Sequence, residues 1–131
     1  MARLSLDTNT PFKVCVAVLI AAIVAIVSFN VGASKRADVA WDEIKRGATI
    51  IDVRTAQEFN SGHLENAVNM PLSSLQVNAS GLDRNHPVVV YCQTGSRAAH
   101  ARRALFDMGF VEVYNGGGMS EMQLSNLARL D

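Results

Sequence analysis

The segment Val88–Tyr91 limits the folds open to this chain of 131 residues more than any other feature. Its β-branched side chains favour a strand, and an uninterrupted apolar strand is typical of the centre of a parallel sheet, where both faces are buried. Parallel strands need long crossover connections, which are usually helices. The segment therefore predicts an α/β domain.

Strand-like and helix-like segments alternate along the rest of the chain. Short apolar runs predict further strands at residues 49–53, 67–70 and 111–114. Spacing, helix formers and glycine stops predict helices at residues 39–46, 55–62, 96–108 and 119–130, with a helical turn at 71–75. Thr55 and Glu58 have the spacing of a capping box. This alternation predicts an α/β fold with an open, mainly parallel sheet and helices on both faces.

An apolar segment precedes this domain. Between Val14 and Val27 the only polar group is Cys15. A helix of these residues covers about 21 Å, or about 27 Å when it extends to Val31. That length is marginal for a membrane span and sufficient for a signal-peptide core. We therefore predict one hydrophobic N-terminal helix within residues 1–33, followed by a folded domain of residues 34–131.

Two interpretations of the apolar segment stay open. Arg3 and Lys13 form a basic leading region, and cleavage after Ala33 would release an exported domain, periplasmic or otherwise extracytoplasmic. The basic pair at residues 35 and 36 resists translocation, which favours a retained membrane anchor through residues 14–31. The two flanks carry equal numbers of basic residues and leave the orientation of an anchor undetermined.

Charge and cysteine content exclude several functions. Lys and Arg number 12, as do Asp and Glu, so we expect no nucleic-acid partner, because binding a phosphate backbone needs an excess of positive charge. The two cysteines are too far apart for a disulfide scaffold. Cys92 and the three histidines lack the spacing of metal ligands, so we predict no metal site.

The chemistry is concentrated where the central strand ends. Cys92 ends that strand, and a short loop leads from it into a helix. Such a loop directs several backbone N–H groups at the sulfur, and the helix N-terminus and Arg97 favour the thiolate. A thiolate held in this way is a nucleophile, and its donors can also hold an anionic substrate. We predict that Cys92 is catalytic and that the binding loop consists of Gln93, Thr94, Gly95, Ser96 and Arg97.

These residues resemble those of rhodanese-like domains. The segment from Ile51 to Pro71 is similar to the first rhodanese signature, and residues 92–97 are similar to the active-site loop in its C-x-x-G-x-R form. Residues 117–119 resemble the second signature, so that the resemblance extends from about Asp38 to Glu121. One residue departs from the pattern: Met122 stands where many members have a tryptophan.

The resemblance implies sulfur transfer without a cofactor. It implies that Cys92 takes the outer sulfur of a donor such as thiosulfate as a persulfide and passes it to cyanide, a thiol or a protein. It further implies that the loop amides stabilise the persulfide and that Arg97 orients it or attracts an anionic donor. Asp52 and Arg54 are expected to brace the site through an ion pair or loop hydrogen bonds. Because Gln93 and Thr94 are uncharged, we expect thiosulfate to be a weak or surrogate donor.

Two other functions are less consistent with the loop. Cysteine-dependent phosphatases and arsenate reductases of the same fold family have a longer loop, wide enough for a tetrahedral oxyanion. Only four residues separate Cys92 from Arg97, which suits a single sulfur atom better. A non-catalytic binding or scaffold module at the membrane is the second alternative, and it would be expected to lack the cysteine. The sequence gives no indication of the oligomeric state.

Overall fold

A computed structural model describes residues 10–130, and for residues 10 and 26–34 it describes the backbone alone. Contacts divide the chain into two units, Met1–Gly32 and Ala33–Asp131. The helices are α1 (Thr10–Lys45), α2 (Ala56–Asn60), α3 (Leu75–Asn78), α4 (Ser96–Asp107) and α5 (Met119–Ala128). The strands are β1 (Thr49–Asp52), β2 (Val68–Asn69), β3 (Val88–Cys92) and β4 (Val113–Gly118). A short 3-10 helix, Leu72–Ser74, precedes α3.

The second unit is built on a parallel sheet of four strands in the order β2-β1-β3-β4. Every residue of β3 is buried, which agrees with its apolar sequence and its position inside the sheet. The thiol of Cys92 lies at the carboxyl end of this strand. The predicted open, parallel sheet is therefore confirmed.

Two hydrophobic clusters cover the two faces of the sheet, because successive side chains of a strand point to opposite faces. On one face, side chains of β1 and β3 pack with helices α3 and α4; this cluster includes Ile51, Val88, Val90, Leu75, Ala101 and Leu105. On the other face they pack with the end of α1 and with α5; this cluster includes Ile50, Val89, Tyr91, Ala37, Ala40 and Met122. Helices on both faces are thus confirmed.

Helix α1 differs from the prediction, which began a helix only at residue 39 and ended it at residue 46. The helix continues through Lys35 and Arg36 to Lys45. Lys, Arg and Ala all favour helix, so a polar stretch of these residues need not interrupt one. Tertiary contacts secure this part of α1: Ala37 is fully buried, and the Trp41 indole donates a 2.8 Å hydrogen bond to the carbonyl of Met122.

Strand β4 also differs from the prediction, which placed it at residues 111–114. It begins at Val113 and includes the three glycines that follow Asn115. After a register shift, Gly117 pairs with Tyr91 and Gly118 with Cys92. Glycine is unfavourable in strands, and for that reason propensity misplaced the strand end. A residue without a side chain is required at position 118, because a Cβ atom at Gly118 would lie 2.5 Å from the carbonyl oxygen of Gln93.

Met122, the residue at which the sequence departs from the rhodanese pattern, lies in the core. It is fully buried, and its sulfur would lie 2.7 Å from a Cβ atom at Gly116. A glycine strand and a flexible methionine thus fill this space together.

No helix among the described residues is long and apolar enough to cross a membrane. Arg3 and the side chains of residues 26–34, including Ala33, lie outside the described residues. The membrane anchor and the signal peptide both stay predictions.

Candidate active site

Two backbone amides point at the sulfur of Cys92. The N–H of Gly95 donates to Sγ over 3.0 Å, and that of Ala98 donates over 3.4 Å. The side chain is almost completely buried, with 1% of its surface exposed. Of the predicted loop donors, residues 93–97, only Gly95 makes a hydrogen bond to the sulfur, and the second donor lies one residue beyond Arg97. The amides and the positive end of the 12-residue helix α4 favour a negative charge on this atom.

The loop owes its shape to Gly95 and to contacts with β4. Gly95 is the N-cap of α4 and has a φ of +96°, a left-handed conformation that side chains disfavour. The Asn115 side chain donates to the carbonyl of Gly95 over 3.2 Å and accepts from the amide of Gly117 over 2.8 Å. The strand beside β3 therefore holds the loop from one side.

Arg97 lies at the loop's end, where the sequence places it, and its guanidinium is bonded to a carboxylate. Nη1 and Nη2 donate to the two carboxylate oxygens of Glu58 over 2.7 and 2.9 Å. Glu58 also completes the predicted capping box with Thr55, which is confirmed. The hydrogen bonds from Arg97 and Thr55 lower the pKa of Glu58 to about 2. Arg97 thus joins the start of α4 to the start of α2.

Asp52 and Arg54 form the ion pair expected at the end of β1. The side chains are 0% and 4% exposed, and Nη2 of Arg54 lies 2.7 Å from Oδ2 of Asp52. Hydrogen bonding to Asp52 raises the pKa of Arg54. The same guanidinium donates to the carbonyl of Gly62 over 2.6 Å and to Oε1 of Gln93 over 3.3 Å. The pair therefore connects β1 to the Cys92 loop.

The neighbouring Tyr91 occupies the same buried region. Its hydroxyl accepts a hydrogen bond from the amide of Leu64 over 3.0 Å. Burial, and then hydrogen bonding to Asp52, raise the pKa of Tyr91, so the phenol stays protonated.

Arg36, Glu121 and Asn115 contact the site but were not among the predicted site residues. Nε and Nη2 of Arg36 donate to the carboxylate of Glu121 over 2.6 and 3.0 Å, and Nη2 also donates to the carbonyl of Thr94 over 3.3 Å. Hydrogen bonding to Glu121 is the main cause of the raised pKa of Arg36, and attraction to a charged Cys92 contributes. Arg36 and Glu121 are 85 residues apart, and no local pattern links them. Of these three residues, only Asn115 had a sequence feature that could have indicated a place at the site, because it directly follows a strand-like run.

Comparison with known proteins identifies the family. The family model described as Rhodanese-like domain matches residues 36–124. This chain belongs to the rhodanese-like domain family.

Three relatives illustrate the similarity of this rhodanese-like domain to known proteins. The uncharacterized protein YqhL of Bacillus subtilis is 40% identical over 70 residues, which are 53% of this chain and 56% of YqhL, less than two thirds of its length. The thiosulfate sulfurtransferase PspE of Escherichia coli is 32% identical over 56% of this chain and 73% of PspE. The solution structure of the rhodanese-like domain of Alr3790 from Anabaena has a TM-score of 0.61 at 29% identity, over 67% of this chain and 70% of that chain.

The geometry of this rhodanese-like domain suits a single anionic sulfur atom. Two amides are directed at one point, and the loop closes after four residues. Within the part of the chain that the structure describes, no group of three or more His, Cys, Asp and Glu residues could hold a metal ion. The described groups at the site can therefore stabilise a thiolate and a charged sulfur attached to it.

Proposed function

We propose that this protein is a sulfurtransferase that carries sulfane sulfur as a persulfide on Cys92. The observation that carries the proposal is the pair of amides, of Gly95 and Ala98, that donate to the cysteine sulfur. Relatives named thiosulfate sulfurtransferase, such as PspE, support it. Non-catalytic members of the family exist, which makes a direct test of sulfur transfer necessary.

The reaction proceeds by two displacements at sulfur. The Cys92 thiolate attacks the outer sulfur of thiosulfate; a new S–S bond forms, the bond to the sulfonate sulfur breaks, and sulfite leaves with the electron pair. Cyanide or a thiolate then attacks the outer sulfur of the persulfide. The Cys92 thiolate leaves with the electron pair, and thiocyanate or a new persulfide is released.

The loop amides contribute in both steps because the negative charge bound to the protein lies on a sulfur atom in the thiolate and in the persulfide alike. Hydrogen bonds from Gly95 and Ala98 stabilise the thiolate before attack and after departure of the acceptor product. The helix N-terminus adds a partial positive charge that also favours the terminal sulfur of the persulfide. Ping-pong kinetics follow from the covalent intermediate.

Mass spectrometry of the intact protein tests the proposal. After incubation with thiosulfate, the wild-type chain should gain the mass of one sulfur atom, and Cys92→Ser should gain none. Cys15→Ser is the matched control, because Cys15 is the other free cysteine and is exposed. It should load sulfur like the wild type. Failure of the wild type to take sulfur from thiosulfate, a persulfidated thiol or mercaptopyruvate would overturn the proposal. Release of phosphate from an aryl phosphate would instead indicate a phosphatase.

We also propose, from the sequence alone, that residues 14–31 determine where the domain works. They either anchor the chain in a membrane or direct its export, with cleavage after Ala33. Membrane fractionation with N-terminal sequencing of the mature protein distinguishes the two. A mature chain that starts at Ser34 removes the anchor, and an intact chain absent from both the membrane and the exported fraction overturns both.

A further inference from the structure

Three arginines that contact the Cys92 loop or its neighbours are bonded to carboxylates. The pairs are Arg54–Asp52, Arg97–Glu58 and Arg36–Glu121. The side chains of Gln93 and Thr94 in the loop are uncharged. The site therefore carries guanidinium groups whose charge is largely offset, although its substrate in a sulfurtransferase is an anion.

The Arg36–Glu121 pair lies directly on the loop. A Cβ atom at Gly95 would lie 2.6 Å from Nη2 of Arg36, and that nitrogen also donates to the carbonyl of Thr94. The amide of Gly95 in turn donates to the sulfur of Cys92. The Arg36 guanidinium is thus separated from the sulfur by one backbone unit, and attraction to a charged Cys92 is among the causes that raise its pKa, after its hydrogen bond to Glu121.

The guanidinium of Arg36 is accessible as well as close. Its side chain is 40% exposed, whereas that of Glu121 is 18% exposed. Glu121 accepts from Nε and Nη2, and among the described residues Nη1 has no hydrogen-bond partner. Arg36 is therefore an accessible cation beside the loop, and its charge is offset by the less exposed carboxylate of Glu121.

We propose that Glu121 sets the specificity for the sulfur donor: by offsetting the charge of Arg36, it lowers the preference of the site for doubly charged thiosulfate relative to singly charged sulfane-sulfur donors. This inference rests on the proposed sulfur transfer. The reason is Coulombic. A neutral pair gives little extra attraction to the second charge of a dianion, whereas a freed guanidinium attracts a dianion about twice as strongly as a monoanion.

Two donors that differ by one charge test this inference. Methanethiosulfonate is a monoanion and thiosulfate a dianion; attack of Cys92 on the outer sulfur releases methanesulfinate from the first and sulfite from the second. The readout is the ratio of kcat/KM for thiosulfate to kcat/KM for methanethiosulfonate. In Glu121→Gln we expect this ratio to rise about fivefold at low ionic strength, and less in high salt.

Arg36→Gln should lower the ratio, because it leaves the negative charge of Glu121 uncompensated beside the loop. In the double variant, Arg36→Gln with Glu121→Gln, the ratio should return to within about twofold of wild type. Glu43→Gln is the matched control, because Glu43 forms a 2.6 Å ion pair with Arg46 at the far end of α1. The ratio should not change in this variant.

The possible outcomes separate the inference from the proposed function. If the wild type transfers sulfur and neither single variant changes the ratio, the inference is overturned. If the rise in Glu121→Gln persists in the double variant, Arg36 is not the cation that Glu121 controls. If the wild type takes sulfur from neither donor, the proposed function itself fails. Circular dichroism of each variant shows whether it is folded, and the opposite shifts expected of the two single variants cannot arise from a common loss of structure.

Discussion

The amide nitrogen of Gly95 lies 3.0 Å from the sulfur of Cys92, and this hydrogen bond depends on a backbone conformation that favours glycine. At a φ of +96° the chain turns back so that Gly95 and Ala98 can both donate to the same atom. A strand that ends in cysteine thereby becomes a site for a negative charge on sulfur. The same turn leaves room for the Arg36 guanidinium on the other side of the glycine.

Gly95→Ala should therefore reduce sulfur transfer as well as stability. The new methyl group would be strained at this φ, which distorts the loop, and the Arg36 guanidinium, 2.6 Å away, would have to move. We expect a loss of about 1–2 kcal/mol in the free energy of unfolding. The rate of persulfide formation should fall about tenfold or more, because a donor to the charged sulfur moves. Urea unfolding and single-turnover loading from thiosulfate measure the two effects.

Gly109→Ala is the matched control for that substitution. Gly109 has nearly the same φ, +94°, and a Cβ atom there would meet nothing within 4 Å. It ends the same helix far from the sulfur. We expect a similar backbone cost, about 1–2 kcal/mol, with full persulfide formation. Equal losses of transfer in the two variants would show that the Gly95 amide has no special role.

Glu58 should contribute to stability in a pH-dependent way. Its pKa is lowered from 4.5 to about 2 in the folded chain, chiefly by hydrogen bonds from Arg97. A lowered pKa means that the contribution is fully present above the unfolded value of 4.5 and is lost as the pH falls toward 2. We expect Glu58→Gln to have a lower urea midpoint than wild type at pH 6, and the difference to shrink steadily between pH 5 and pH 3.

Glu65→Gln serves as the control for the pH series. Glu65 is exposed and makes no hydrogen bond or ion pair within the described part of the chain. Its urea midpoint should follow that of the wild type throughout. A difference between Glu58→Gln and wild type that stays constant from pH 6 to pH 3 would contradict a role for the ionised Glu58.

The buried Asp52–Arg54 pair should be costly to break from one side. Asp52→Asn keeps the shape but leaves the Arg54 guanidinium, 4% exposed, without its countercharge. We expect a loss of about 3–5 kcal/mol in the free energy of unfolding. Removing both charges, with Asp52→Asn and Arg54→Met, should recover part of that loss because no buried charge is left unpaired.

Asp83→Asn is the control for the buried pair. Asp83 is exposed and accepts a 2.9 Å hydrogen bond from the amide of Asn85, which an asparagine can also accept. We expect a change within about 0.5 kcal/mol. Urea unfolding of all variants gives the comparison, and a loss in Asp52→Asn no larger than in Asp83→Asn would show that the pair contributes little.

Local sequence patterns predicted those structural features that depend on interactions between residues close together in the chain. The apolar run at Val88–Tyr91 specified a buried parallel strand, and the spacing of Thr55 and Glu58 specified a capping box. The motif from Cys92 to Arg97 indicated a thiolate at a helix start, and the Gly95 amide is directed at the sulfur. Each of these features depends on residues within a few positions of one another, so a single sequence contains the required information.

Contacts between segments far apart in the chain determined the structural features that the sequence patterns did not predict. The glycines of β4 joined the sheet because a strand without side chains fits against the loop, which overrides their poor strand propensity. Arg36 reached the loop because α1 packs on the sheet in a register that no local signal specifies. Its contact with Glu121 joins residues 85 positions apart. The sequence alone was therefore sufficient to predict Cys92 as the nucleophile and the loop whose amides bind its sulfur. The arrangement of charged side chains around that loop depends on how the helices pack, and only the tertiary structure shows it.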